Sequence, residues 1–152
     1  MKVSKQGLKL IKKHEGYSAK PYLCPAKIPT IGYGNTYYPD GTKVTMQDQP
    51  LSKEMADLLL RVIVAKFEKC VNDNVIADIS QEQFDSLVSF TYNLGCGALK
   101  KSTLLKKVNA NPCDPSILKE FLKWNKAGGK VLRGLTNRRI DEANYYFGDT
   151  ID

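Results

Sequence analysis

The sequence predicts an α+β fold in which a small sheet and a set of helices occupy separate stretches of the chain. Residues 17–45 contain four prolines, three glycines and many Tyr and Thr residues, a composition typical of strands and turns. Before and after this stretch, apolar residues recur at helical spacing. Because strands and helices are segregated rather than alternating, the pattern disfavours a wound parallel sheet.

The first helix is predicted from its capping residue and its apolar face. Ser4 is suited to the N-cap, and Leu8 and Ile11 share one helical face. Three basic residues end the helix, and Gly16 is the expected left-handed terminator. Glu15 therefore lies at the negative end of the helix dipole, which should raise its pKa.

A hairpin is predicted for the strand-rich stretch. The run Tyr-Pro-Asp-Gly-Thr at 38–42 is a strong turn signal, and it separates residues 31–38 from residues 43–45. A sheet of this size is not stable alone and needs helices to pack against.

The remaining chain is predicted to be helical. Ser52 begins a long helix with apolar residues at 55, 58, 59, 62, 63, 67, 70 and 71. Ser80-Gln-Glu-Gln83 is a capping box that begins a helix ending at Gly95. Shorter helices are predicted at 102–108 and 116–124, then a break at Gly128-Gly129 and a last helix at 136–147.

These elements predict a single domain over residues 1–152 with two lobes. The β-rich lobe is expected at about 16–50, the connecting helix at about 53–75 and the helical lobe at about 76–152. Two lobes joined by one long helix would leave a cleft between them.

Composition limits the partners. The net charge of +7 favours an anionic target, but no arginine-rich run or basic–aromatic motif indicates nucleic acid. No apolar run is long enough for stable membrane insertion. The first residues are basic without the apolar stretch of an export signal, so synthesis in a cytoplasm is expected.

The four cysteines do not predict a metal site. There is no Cys-x-x-Cys pair and His14 is the single histidine, so neither a metal nor a cofactor is expected. In a cytoplasm the thiols should be reduced, with Cys70 as a core residue. Whether Cys96 and Cys113 pair is left open.

Glu15, Cys24 and Thr30 form the candidate catalytic site. They are separated by eight and then five residues. A carboxyl can protonate a leaving oxygen, a thiolate can take a proton from water, and a hydroxyl can orient that water. Cys24 stands where a second carboxylate is usual. Only about 3% of a thiol with an ordinary pKa near 8.5 is ionised at pH 7. Lys20 and Lys27 are close in sequence and could lower the pKa of Cys24.

The segment Glu-Gly-Tyr-Ser-Ala-Lys-Pro-Tyr-Leu-Cys-Pro-Ala-Lys-Ile-Pro-Thr-Ile-Gly-Tyr-Gly at 15–34 closely resembles the catalytic segment of phage-type lysozymes, the endolysins of glycoside hydrolase family 24. Two further blocks resemble their helical lobe, at 84–105 and at 124–142. Two positions depart from the family pattern: Lys27 stands where glycine is frequent, and Asn35 where histidine is frequent. Both departures concern loop geometry more than chemistry.

The resemblance implies a lysozyme-like fold and a muramidase that cuts the β-1,4 bond between N-acetylmuramic acid and N-acetylglucosamine in peptidoglycan glycan strands. It also implies a monomer that waits in the host cytoplasm for a holin and then lyses the cell. Arg138 would position Glu15, while Tyr92, Asn93 and Ser102 would bind the substrate. Each of these four residues could instead serve packing or capping.

The expected mechanism is an inverting displacement with Glu15 as acid and with Cys24 and Thr30 activating water. A covalent thioglycosyl route with retention is the alternative mechanism. Two other functions remain open: a lytic transglycosylase, and a peptidoglycan-binding module without catalysis. Loss of the second carboxylate favours the latter, whereas the intact acid and threonine favour an enzyme.

Overall fold

A computed structural model describes residues 1–151, which fall into two compact units. The first unit contains Met1–His14 and the chain from Phe67 onward, and the second is Glu15–Lys66. In chain order the elements are α1 Lys5–His14, β1 Ser18–Leu23, β2 Pro29–Gly32, α2 Lys53–Asn74, α3 Gln81–Leu94, α4 Cys96–Lys101, α5 Thr103–Ala110, α6 Ile117–Leu122, β3 Lys126–Ala127, β4 Lys130–Val131 and α7 Arg133–Tyr146. This order confirms the predicted α+β class.

Helix α1 begins as predicted, because the Ser4 hydroxyl accepts a hydrogen bond from the Gly7 N–H at 3.1 Å. The prediction of Gly16 as a left-handed terminator is wrong, since Gly16 has no positive φ. Side chains hold this end of the helix instead. The Asp141 carboxylate lies 2.7 Å from His14 Nε2 and 3.0 Å from Lys13 Nζ.

The sheet of the second unit is an antiparallel pair of β1 and β2, in which Tyr22 pairs with Thr30. The predicted hairpin between 31–38 and 43–45 is present in reduced form, as a single antiparallel bridge between Tyr37 and Lys43. The Val44 N–H donates to the Thr36 carbonyl at 2.9 Å beside this bridge. The Asp48 carboxylate binds the Thr45 N–H at 2.9 Å, so that amide is used by a turn instead of a ladder.

The predicted turn at 38–42 is present. The Tyr38 N–H donates to the Thr42 carbonyl at 2.8 Å, and Gly41 supplies a φ of 87° that favours glycine. The core of this unit consists of Ile31, Val44 and Leu59, with Tyr38 and Leu51 packed against them. The sheet therefore packs on α2, as its small size requires.

Helix α2 begins after Ser52, whose hydroxyl accepts from the Met55 N–H at 3.1 Å. Its predicted apolar stripe is only partly correct. Leu58 and Val62 were assigned to the stripe but are 47% and 49% exposed. Ala56, Leu60 and Val64 are buried instead. The helix carries apolar residues on several faces, so their spacing alone does not determine which face is buried.

The helices of the first unit follow the predicted signals more closely. Ser80 and Gln83 form the capping box of α3, and Gly95 ends that helix with a φ of 93°. Helix α4 was not predicted, because its six residues are too few to show a period. Gly128 and Gly129 form a two-residue turn between β3 and β4, and both have positive φ. Among residues 1–151, no helix combines the length and hydropathy that a membrane crossing requires.

A disulfide joins Cys70 of α2 to Cys96 of α4, with the Cα atoms 5.9 Å apart. The prediction of four reduced thiols is therefore wrong for this pair, and Cys70 is a bridged residue as well as a core residue. The open question of Cys96 and Cys113 is answered, because Cys113 is free and exposed.

Reduction of this bridge is expected to destabilise the protein. Opening a loop of 26 residues releases unfolded-chain entropy worth about 3.5 kcal/mol. At roughly 2–4 °C per kcal/mol, calorimetry with and without reductant should show Tm falling by about 7–14 °C. Cys113→Ser is the matched control and should leave Tm unchanged. An unchanged Tm after complete reduction would contradict the expectation.

Gly7 of α1 packs directly on a buried carboxylate of α3. Asp85 is fully buried and accepts hydrogen bonds from Ser4, Gln81 and Tyr145. A Cβ at position 7 would lie 2.5 Å from Asp85 Cγ. Gly7→Ala should therefore cost about 1–3 kcal/mol by overpacking. Urea unfolding measures this cost, and Gly97→Ala, where the added Cβ meets no atom within 4 Å, is the control.

Candidate functional site

The three predicted catalytic residues all belong to the Glu15–Lys66 unit. Glu15 follows α1 directly and is half-buried. Cys24 follows β1, and Thr30 is the second residue of β2. The β1–β2 pairing therefore brings Cys24 and Thr30 to the same end of the hairpin.

The loop that joins the two strands, residues 24–28, is tightly folded. The Cys24 N–H donates to the Ile28 carbonyl at 3.1 Å, and the Lys27 N–H donates to the Cys24 carbonyl at 2.7 Å. Lys27 has a φ of 61°, a left-handed conformation uncommon for a residue with a Cβ. This explains why glycine suits the position, and it shows that Lys27 keeps the turn at some backbone cost.

The environment of Cys24 favours its thiolate. Hydrogen bonding by the Ile28 backbone is the largest effect that lowers the pKa of Cys24 below its ordinary value. Partial desolvation opposes this shift, while the Ala26 backbone and the Thr30 hydroxyl lower the pKa further. The shift comes from hydrogen-bond donors in the loop, not from the lysine charges considered above.

Thr30 is a buried residue, 3% exposed, with a committed hydroxyl. Its Oγ1 donates to the Ile28 carbonyl at 2.8 Å. A hydroxyl has a single proton, so it can donate to Ile28 or to the Cys24 thiolate, but not to both. Thr30 is thereby coupled to the protonation state of Cys24.

The loop amides are the part of the site that sequence reasoning missed. The available signal was the pair of prolines at 25 and 29, which confine the chain after Cys24 to a short turn. The role of Asn35 was also open. Its side chain is buried and its Oδ1 accepts from the Tyr33 N–H at 3.2 Å, so it stabilises the Ile-Gly-Tyr-Gly turn.

The first unit contains the other predicted site residues. Asn93 Oδ1 accepts from Arg139 at 2.8 Å. The ring centroids of Tyr92 and Phe67 lie 5.3 Å apart. The guanidinium carbon of Arg138 lies 5.9 Å from the centroid of the Tyr92 ring. Their roles toward a sugar stay predictions.

Ser102 and Arg138 make structural contacts in this unit. The Ser102 hydroxyl is buried, donates to the Leu99 carbonyl and accepts from the Leu105 N–H, which makes it the N-cap of α5. Arg138 is 3% exposed, and its Nε lies 3.2 Å from Glu142 Oε2. The predicted action of Arg138 on Glu15 is not tested by these contacts.

Buried charges surround Glu142 in α7. Its Oε1 lies 2.7 Å from Arg139 Nε, and its Oε2 accepts from the Ser89 hydroxyl at 2.6 Å. Arg139 and Glu142 are both fully buried. This ion-pair network connects α7 to α3.

Among the described residues, no group of three or more His, Cys, Asp or Glu side chains is arranged to hold a metal ion.

The predicted role of Cys24 as a catalytic base implies a distinctive pH dependence of activity. Protonation inactivates the thiolate, so kcat/KM should rise as pH passes upward through the Cys24 pKa. Cys24→Asp should retain activity and move this acidic limb toward the ordinary Asp pKa of about 3.9. Cys24→Ser should lose about 10²-fold or more. Reaction rates measured across pH for the wild type and the two variants check these expectations.

The control is the second free thiol. Alkylation monitored by mass spectrometry should modify both Cys24 and Cys113, and only loss of Cys24 should abolish activity. Full activity in Cys24→Ser would remove the thiol from the mechanism.

Comparison with known proteins gives the family. The model of the phage lysozyme family matches residues 12–142. An endolysin of Bacillus phage B103 is 45% identical over 148 residues, which is 96% of this chain and 54% of that protein. A SAR-endolysin of Haemophilus phage HP1 is 34% identical over 158 residues, covering 97% of this chain and 82% of the relative.

A solved lysozyme structure has the same fold. A crystal structure of a P22 lysozyme mutant has a TM-score of 0.88 and 30% identity, with 97% of this chain and 99% of that chain covered. This confirms the lysozyme-like α+β fold with its small N-terminal sheet and helical body. The chain spans about half the length of the Bacillus phage relative. From the family match and the shared fold, the chain belongs to the phage lysozyme family.

Proposed function

We propose that this protein is a phage endolysin that hydrolyses the β-1,4 bond between N-acetylmuramic acid and N-acetylglucosamine in peptidoglycan. The observation that supports this most is the Cys24 thiol, whose pKa is lowered by loop hydrogen bonds and by Thr30, in a phage lysozyme sequence. Relatives described as endolysins support the same assignment. Inverting hydrolysis of a glycosidic bond requires one acid and one base, which Glu15 and Cys24 supply.

The proposed reaction is a single displacement with inversion. The Glu15 carboxyl donates its proton to the glycosidic oxygen as the bond to the anomeric carbon breaks. Cys24, as thiolate, takes a proton from a water molecule whose oxygen attacks the opposite face of that carbon. As the thiolate becomes a thiol, the Thr30 hydroxyl can return its hydrogen bond to the Ile28 carbonyl. The thiol and the Glu15 carboxylate then exchange protons with solvent.

The first unit supplies the proposed sugar contacts. Tyr92 offers an aromatic face, and Asn93 offers an amide held by Arg139. Ser102 is the weakest of the three proposed substrate contacts, because its hydroxyl is already used as a helix cap. Arg138 remains the proposed positioning residue for Glu15.

Product analysis tests the proposed reaction. Purified protein should release muropeptides with new reducing ends from peptidoglycan, and proton NMR of early products should show the α-anomer. A β-anomer would support the thioglycosyl route instead. Anhydromuramic ends in the mass spectrum would identify a lytic transglycosylase. Binding to peptidoglycan without any reducing ends at any pH would identify a binding module.

We propose that lysis of the host depends on a holin. Until then the protein waits in the cytoplasm as a monomer. Relatives of this chain include a SAR-endolysin, so the export route needs its own test. Cells expressing this chain should remain turbid until a permeabilising agent or a holin is supplied. Lysis without either would show another route. Sedimentation of the purified protein tests the monomer.

A further inference from the structure

A cavity of about 340 Å³ lies beside the loop of residues 24–28 in the Glu15–Lys66 unit. Its lining includes Lys27, Ile28 and Pro29 from the loop side and Thr36, Tyr37 and Lys43 from the following segment. It therefore adjoins the loop between Cys24 and Thr30. None of the proposed catalytic groups lines it, so this cavity, hereafter the lysine cavity, is separate from the reacting atoms.

The lysine cavity combines basic and apolar residues, a lining that suits an organic anion. Lys27 and Lys43 are the two charged residues that line it, and no acidic residue is among the described residues of the lining. Within residues 1–151, neither ammonium forms an ion pair. Ile28 and Tyr37 are 48% and 51% exposed, which offers apolar contact next to the charges. A carboxylate attached to a small apolar group fits this combination.

The backbone of Lys27 is a second, independent observation. It is the one residue other than glycine with positive φ in the described chain. A lysine in this conformation costs backbone energy that glycine would avoid. Retaining a charged side chain at a strained turn indicates that the side chain has a use beyond the turn.

We propose that the lysine cavity binds a carboxylate of the peptide stem carried by the muramic acid residue at the cleavage site. This rests on the proposed function, because in peptidoglycan the lactyl group of muramic acid is amide-linked and the free carboxylates belong to the peptide. The position of the cavity fits, since Ile28 both lines it and accepts the hydrogen bond of Thr30. The cavity would thus select stem-bearing glycan over unsubstituted polysaccharide.

The test changes the substrate and the protein separately. Peptidoglycan free of teichoic acid is treated with carbodiimide and excess methylamine, which converts peptide carboxylates to amides and leaves the glycan intact. Wild-type kcat/KM should fall by about tenfold on the amidated substrate, since two partly exposed charge contacts are lost. The double variant Lys27→Gln/Lys43→Gln should be slower by about the same factor on untreated substrate and insensitive to amidation.

The control variant is Lys53→Gln, which removes an exposed lysine of the same unit outside the lysine cavity and should keep the wild-type preference. Thermal unfolding establishes that each variant is folded. An amidation-insensitive wild type would overturn the proposal even if the double variant failed to fold. An equal loss by the double variant on both substrates would also overturn it. If wild type cleaved neither substrate, the proposed muramidase function itself would fail.

Discussion

Replacing Glu15 by glutamine is expected to reduce peptidoglycan cleavage by at least about 10³-fold. The amide keeps the size of the side chain but has no acidic proton to transfer, so the leaving sugar oxygen would have to depart as an alkoxide. No other acidic residue lies among the proposed catalytic groups, and the thiol of Cys24 is assigned to the opposite face. The measurement is the initial rate of reducing-end formation, with Tm recorded to show that the fold is kept.

The matched control is Glu54→Gln, at the exposed first turn of α2 in the same unit. It changes the net charge equally and should leave the rate within a factor of about two. Glu15→Asp separates acid from shape, because it retains a proton donor on a shorter arm and should recover part of the activity. A Glu15→Gln rate within tenfold of wild type would exclude Glu15 as the essential acid.

Local signals made much of the fold predictable. Hydroxyl caps need only the residues around them, and Ser4, Ser52, Ser80 and Ser102 all accept the hydrogen bonds expected at helix starts. The turn at 38–42 was predictable for the same reason. The partner of β2 was not predictable, because pairing depends on which segment reaches that strand. β1 pairs with β2, whereas the segment after the turn forms only a single bridge, Lys43 with Tyr37.

The candidate site shows the same division. Glu15, Cys24 and Thr30 were identified by spacing and resemblance, but what lowers the Cys24 pKa was not. Lysine charges are visible in a sequence, whereas backbone N–H groups become donors to a thiol only after the loop folds. The disulfide is similar, since Cys70 and Cys96 are distant in sequence and approach each other through tertiary structure alone.

Breaking the buried ion-pair network of α7 should strongly destabilise the protein. Glu142→Gln is expected to destabilise the protein by about 3–5 kcal/mol, because it leaves two buried guanidinium groups without their carboxylate. The closest contact, 2.7 Å between Arg139 Nε and Glu142 Oε1, lacks the alignment of a hydrogen bond. Oε1 therefore acts through its charge, which glutamine cannot replace, whereas Oε2 accepts hydrogen bonds from Ser89, Arg138 and Arg139. Calorimetry should show a fall in Tm of about 6–20 °C.

Two comparisons make this expectation specific to buried charge. Asp73→Asn breaks the exposed pair of Lys69 and Asp73 and should cost about 1 kcal/mol or less. Arg139→Met combined with Glu142→Leu removes one cation together with the anion, so it should be less destabilising than Glu142→Gln alone. If Glu142→Gln lowered the free energy of unfolding no more than Asp73→Asn, the charge of Glu142 would not be needed for stability. A large loss rescued in the double variant would show that uncompensated charge is the cause.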